Sequence, residues 1–306
     1  MDGEKTTSPV STHRLVVRAE EAGKRLDVLL AERIPGLSRR RARLLIDGGA
    51  VSIDTRRVSV QSRPVTAGQE VVCHLQSFSF PASAALETRL VLHEDEWIIV
   101  VDKPSGMPSH PTYARTIGTA LQLTEEWLRR REGRKVPIWP LHRLDSETSG
   151  ILLFAKTQAA ARAVNQNFAR RRVAKRYLAL VTGVPSPASG EIQLPIAERH
   201  LRSEASAAGK EAVSRYRVVE PLADAALVEV EPLTGRMHQI RVHLAAIGHG
   251  VLGDQKYGVH QPRAGVPRLM LHASRLELPH PRDGRPFVVE SPPPEDFAAA
   301  LRVLRR

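Results

Sequence analysis

Cysteine occurs once in the 306 residues, at Cys73, which excludes an intrachain disulfide framework and any metal site built on a cysteine cluster. Set in Val71-Val72-Cys73-His74-Leu75, it reads as a small packed residue rather than a reactive one. Long apolar runs are also missing: none approaches the roughly 20 residues that a membrane-spanning helix needs. The opening MDGEKTTSPVSTH has no apolar segment and does not read as a secretory signal, so no membrane contact is expected and the expected location is cytoplasmic. No GxxxxGK[ST] phosphate loop occurs. Gly248 to Gly253 matches GxGxxG by letter, but it follows a predicted helix rather than a strand, which removes the case for ATP or a nicotinamide cofactor. His238, His243, His249 and His272 lack the HExxH spacing, and the five-residue step from His238 to His243 turns one ring away from the other. Neither a metal nor a cofactor is expected.

What the chain has in excess is positive charge. Its 45 Lys and Arg against 33 Asp and Glu give a formal net charge of +12, which favours a polyanionic partner. The length suggests about two domains. Residues 1 to about 14 read as a flexible polar arm. A compact module is expected over 15–75, a linker without periodicity over 76–86, and a larger domain over 87–306. In the module, Arg25 to Glu32 places Leu26, Leu29 and Leu30 at helical spacing, and Pro35-Gly36 ends that helix. Ser38 is an N-cap for a second helix, Arg39 to Asp47, closed by Gly48-Gly49. Arg39, Arg40 and Arg43 fall on one broad side of it, where planar guanidinium donors suit phosphate oxygens; the alternative is an ordinary solvated face.

In the larger domain the spacing predicts helices over Thr116 to Arg131 and Gln158 to Arg170. Strands are predicted over Ile151–Phe154, Arg176–Val181, Val213–Val219 and Ala226–Val230. Helix and strand alternate without a repeated unit, so an α+β domain on a mixed or antiparallel sheet is expected. The segment HRLDSETSG, His142 to Gly150, leads directly into the apolar run Ile151 to Ala155. Asp145 would therefore sit at the rim of a packed core, where a carboxylate is held in place yet meets a ligand. Taken alone, Asp145 could equally be a turn or cap residue. Three other segments carry residues suited to one polar pocket. Tyr177 alternates with Leu178 and Leu180 on a predicted strand. Leu233 to Leu244 reads as a strand-to-helix entry capped by Thr234, with Arg236 in the first turn and His238 and Arg241 sharing a face. Leu271, in Leu269 to Leu276, supplies an apolar wall.

These ordered segments resemble the RluA-type pseudouridine synthase family over about Leu90 to Leu276. Residues 23 to 72 resemble the alpha-L RNA-binding domain found in a small-subunit ribosomal protein. The resemblance implies the pseudouridine synthase fold and a cofactor-independent isomerisation of selected uridines in RNA. It implies Asp145 as the catalytic aspartate, Tyr177 as the tyrosine beside the target base and Arg241 as the arginine paired with the aspartate. Substrate-binding roles follow for Lys103, His142, Arg143, Arg236, His238, Gln239 and Leu271, and RNA contact for Arg39, Arg40 and Arg43. The expected partner is structured RNA, most of all large-subunit ribosomal RNA, with the protein a monomer. Transfer RNA is the second reading, and a catalytically inactive RNA-binding or ribosome-assembly protein the third. The chain departs from many relatives at Ser146-Glu147, where Lys-Asp is common. The reaction breaks the bond from ribose to base nitrogen, rotates the base and rejoins it through carbon. An ionised carboxylate could either add to the sugar or take a ribose proton to give a glycal, and the sequence leaves both routes open.

Overall fold

Residues 11–47, 50–58, 60–75, 86–111, 118–199, 202–258, 263 and 265–305 are described by the computed structural model of the chain. Residues 76–85 of the linker expected over 76–86, Gly48-Gly49, the arm before residue 11 and the predicted helix start at Thr116 lie outside them. By internal contacts the chain divides into two units, one of residues 1–86 with 108–135 and one of 87–107 with 136–306. None of the described helices is long and apolar enough to cross a membrane.

The first unit holds β1 (Ser11–Val16), α1 (Leu26–Arg33), α2 (Arg39–Asp47), β2 (Val51–Ile53), β3 (Arg56–Arg57), β4 (Glu70–Leu75) and α3 (Ala120–Glu132). Its strands form a sheet in the order β1-β4-β2-β3. The polar arm expected to extend to about residue 14 is corrected here, since Ser11 to Val16 pair residue for residue with Leu75 to Glu70. Strand geometry lets polar residues of β1 alternate with Leu15, which packs on the core. Leu26, Leu29, Leu30, Leu45 and Ile46 are fully buried in one cluster with Val51, Val71 and Cys73. Each such side chain contributes roughly 1.5–3 kcal/mol on burial. Ser38 caps α2 as expected, its Oγ accepting from the Arg41 N–H at 3.2 Å.

The second unit holds β5 (Val91–Glu94), β6 (Ile98–Lys103), β7 (Trp139–Pro140), β8 (Ser149–Ala155), α4 (Gln158–Ala169), β9 (Ala174–Thr182), β10 (Ser189–Gln193), β11 (Ile196–Arg199), β12 (Arg202–Ala205), β13 (Val213–Pro221), β14 (Ala225–Pro232), α5 (Gln239–Ala246), β15 (Leu271–Pro279), β16 (Pro286–Glu290) and α6 (Glu295–Leu304). The main path of its sheet runs β10-β13-β14-β9-β15-β8-β6-β5. Every pairing is antiparallel except β8 with β15, so the sheet is mixed, as the α+β expectation has it. All seven residues of β8 are buried, which is why its sequence is apolar without alternation. Ile151, Leu153 and Ala155 share a core with Ala160 and Val164 of α4. Gly150 allows β8 to meet β15: its φ is +111° and a Cβ there would lie 2.3 Å from the Ala273 carbonyl oxygen. β9, β15 and β8 are neighbours, and they bring Tyr177, Leu271 and the turn before Ser149 to one place.

Candidate active site

The turn that carries Asp145 is fastened from two directions. Its own carbonyl accepts from the Thr148 N–H at 3.1 Å. The Pro/Gly-rich loop after β6 grips the next two residues: the Gly106 N–H donates to the Ser146 carbonyl at 2.7 Å, and Ser105 Oγ to the Glu147 carbonyl at 2.7 Å. Lys103, 1% exposed, donates from Nζ to the carbonyls of Pro104, Met107 and Ser146 at 3.1, 2.8 and 3.1 Å. Three carbonyls use all three ammonium protons. Lys103 thus holds the loop to the Asp145 turn and has no proton left for a substrate, which corrects the binding role expected of it. Burial lowers its pKa to about 7, against the opposing pull of Asp145 and Asp102.

Arg241 reaches Asp145 from α5, Nη1 donating to Oδ2 at 3.1 Å. Its other edge makes two bonds of 2.7 Å, from Nε and Nη2, to the two oxygens of Asp254. Asp254 is fully buried and also accepts from the Lys256 and Tyr257 N–H groups at 2.8 and 3.1 Å. Burial disfavours the Arg241 charge, but the bonds and charge of Asp254, followed by those of Asp145, outweigh it and raise its pKa. The same pairing outweighs burial at Asp254 and lowers its pKa. The guanidinium is therefore locked in direction before any substrate arrives. Asp254 is a site residue that sequence reading missed. Its only signal is an aspartate next to Gly253, where φ is +75° and a Cβ would fall 1.9 Å from the Arg268 carbonyl oxygen.

His238 sits with Nε2 3.8 Å from the other Asp145 oxygen, while Nδ1 is 2.8 Å from the Tyr257 hydroxyl. Burial lowers its pKa although Asp145 opposes the shift. His238 is also the N-cap of α5, at φ +56°. The helix therefore begins at Gln239, which corrects the expectation of Thr234 as cap and Arg236 in the first turn. Thr234 instead accepts from the Val213 N–H at 3.0 Å and donates to Gln239 Oε1 at 2.7 Å. Gln239, 4% exposed, accepts from the Arg236 N–H and donates to the Val213 carbonyl and Ser214 Oγ, each within 3.0 Å. It lines the pocket, but its amide oxygen and nitrogen are engaged by the loop and by β13. His243, His249 and His272 have separate partners: Ser214 and Leu194, Thr182, and Ser149 and Ser291 respectively.

Around Asp145 lies a pocket of about 400 Å³ whose lining includes His142, Arg143, Tyr177, Arg236, His238 and Leu271. Tyr177 is 8% exposed, and its hydroxyl has no partner among the described residues. Burial and then the Asp145 charge raise its pKa, so it stands in the pocket as a neutral phenol. Leu271, 3% exposed, is an apolar wall. Arg143 is exposed at the rim. His142 accepts the Leu153 N–H at 3.1 Å, and burial, assisted by the Lys175 charge, lowers its pKa to about 3. Glu147 puts a carboxylate oxygen 3.7 Å from Arg241 Nη2. In the first unit, Arg39 and Arg43 give Nε to the fully buried Asp27 at 3.0 and 2.7 Å, beside Arg25. The Arg40 side chain lies outside the described residues.

A family profile described as RNA pseudouridylate synthase matches residues 97–246, and an S4 domain profile matches residues 24–71. The ribosomal large subunit pseudouridine synthase D of Nitrosomonas europaea is 35% identical over 308 residues, covering 96% of this chain and 88% of its own. The ribosomal large subunit pseudouridine synthase C of Escherichia coli is 32% identical over 330 residues, covering 98% and 99%. Among solved structures, the human RNA pseudouridylate synthase domain containing 4 is similar with a TM-score of 0.62 at 29% identity, over 71% of this chain and 94% of its own.

Proposed function

The chain belongs to the RNA pseudouridylate synthase family, and from that membership we propose that it isomerises specific uridines of large-subunit ribosomal RNA with Asp145 as the reacting carboxylate. One observation carries the reading: Asp145 lines a pocket with one oxygen held by an arginine that is itself clamped on a second, buried carboxylate. The relatives named for ribosomal large-subunit RNA, each covered nearly end to end, support the choice of substrate.

The target uridine must leave its stack to enter the pocket, which is easiest from an unpaired loop. With the ribose over Asp145, the base lies between Tyr177 and Leu271. The Asp145 carboxylate acts at the sugar as the bond to N1 breaks, and Arg241 holds it in position there. The freed uracil turns and C5 bonds to the sugar carbon. The hydrogen on C5 then leaves as a proton, and N1, which kept the electron pair of the broken bond, takes one up. The Tyr177 hydroxyl, without a partner among the described residues, stands where it can relay that proton; its raised pKa excludes a standing phenolate. Arg143 at the rim is suited to a flanking phosphate.

Mapping pseudouridine in total RNA from cells with and without the gene tests this reading. The expected result is loss of one or a few pseudouridines in large-subunit ribosomal RNA, restored by the intact gene and not by one encoding Asp145→Asn. Losses confined to transfer RNA would replace the substrate, and no loss in any RNA would overturn the activity.

A further inference from the structure

Lys175 lies on β9 two residues before Tyr177, on the same face of the strand and about 7 Å from it along the chain. It lines the catalytic pocket and also an adjoining groove of about 880 Å³ that includes Phe168, Arg171, Arg172, Glu231 and Arg236. Its ammonium is 5.7 Å from the centre of the Phe168 ring. Other cations withdrawn from solvent in this unit are matched: Arg241 by Asp254, Arg268 by Asp296, Lys156 by Glu94, Lys103 by three carbonyls. Lys175 has no carboxylate or carbonyl partner among the described residues. Desolvation accordingly lowers its pKa with nothing to offset it. A partly buried ammonium without a counter-charge weakens a fold, and its position in the pocket wall makes the missing anion a ligand's.

The cations beyond it say which anion. Arg171 and Arg172 are exposed along the groove, Arg171 with only a 3.8 Å approach to Glu211. Arg236 spends Nε on the Glu211 carbonyl at 2.9 Å. A compact ammonium followed by guanidinium groups tracks a phosphodiester chain and carries no base-reading pattern. We propose that Lys175 is a phosphate subsite: its ammonium takes a phosphodiester oxygen next to the target uridine, where the RNA strand passes from the pocket into this groove. This rests on the pocket being the uridine site.

The test compares the full-length wild type with Lys175→Met and Lys175→Arg, using a large-subunit ribosomal RNA transcript as probe. Binding is followed against salt, and conversion in single turnover against protein concentration. Lys175→Met is expected to raise the half-saturating protein concentration about tenfold and to reduce the slope of log affinity against log salt by about 0.7, the value for one neutralised phosphate on a single strand. Lys175→Arg should recover most of both. The melting temperature of Lys175→Met should not fall, because the variant removes an unpaired charge. A wild-type salt slope in Lys175→Met would overturn the proposal. So would a lower melting temperature together with failure of Lys175→Arg to recover binding, the signature of a structural role. A wild type that binds the transcript but makes no pseudouridine would sink the reading of the pocket, while the slopes would still decide for or against Lys175.

Discussion

Asp145 owes its orientation to a residue that touches no substrate. Arg241 bridges it to Asp254, and that second pair is almost wholly withdrawn from water, with side-chain exposures of 2% and 0%. Breaking a buried pair by removing one member leaves an uncompensated charge, at a cost of about 3–5 kcal/mol. Asp254→Ala should therefore lower the urea midpoint by an equivalent amount and slow conversion, with Asp254→Asn milder on both counts. A change below about 1 kcal/mol would show that Arg241 is held by something else. His142 supplies a pH test. Its folded pKa, about 3, lies below the ordinary 6.5, so the unfolded chain takes up the proton first. The stability due to keeping it neutral is complete above about pH 6.5 and is lost as pH falls toward 3. His142→Phe should thus lose less stability than wild type between pH 7 and pH 4; parallel losses would show that His142 is not kept neutral by burial. At this scale the sequence exposed the carboxylate, the tyrosine and the arginine that the fold brings around one pocket, because each stands in a dense motif. It exposed the identities of Lys103 and Gln239 but not the direction of their side chains, which depends on carbonyls more than twenty or forty residues away. Asp254 and Lys175 were missed for the complementary reason: one is a lone carboxylate after a turn, the other one more basic residue in a basic chain.

At the scale of elements, the site depends on the parallel pairing of β8 and β15, set among antiparallel neighbours. Gly150 permits that pairing, and alanine there would combine an unfavourable positive φ with a 2.3 Å approach to the Ala273 carbonyl oxygen. Gly150→Ala is expected to destabilise by about 2–4 kcal/mol and to reduce activity more than a surface change of equal stability, since it displaces the Asp145 turn from Leu271. A denaturation midpoint equal to wild type would mean that the strands can separate there without consequence. The buried strands were legible because their apolar runs are short and bounded by polar turns. β10 to β12 were not, since they are only four or five residues long and no apolar run marks them. The start of α5 was misjudged because His238 takes a left-handed backbone conformation, which is uncommon for any residue but glycine.

At the scale of the molecule, positive charge is held in two units, and each uses carboxylates to aim it. In the first, Asp27 gathers Arg25, Arg39 and Arg43 while leaving their side chains 44%, 47% and 42% exposed. Burial opposes the Asp27 charge, but the three arginines outweigh it and hold its pKa well below the ordinary carboxylate range. Replacing Arg39 and Arg43 by alanine should weaken binding to long structured RNA and flatten its salt dependence by about one slope unit for each phosphate no longer neutralised. An unchanged slope in a folded variant would return this helix to an ordinary solvated face. An RNA substrate was legible in charge and motif, whereas the grouping of residues 108–135 with the first unit was not, because sequence order does not report which residues cluster. The central claim concerns one carboxylate acting at the sugar of one uridine, and C5 of the target must lose its hydrogen once the new bond has formed. Release of tritium from ribosomal RNA labelled at uridine C5, measured in single turnover with wild type and Asp145→Asn, tests it most directly. The expected result is release by the wild type, none above background by the variant, and RNA affinity and melting temperature nearly unchanged between them. Release by a correctly folded Asp145→Asn at close to the wild-type rate would contradict the assignment.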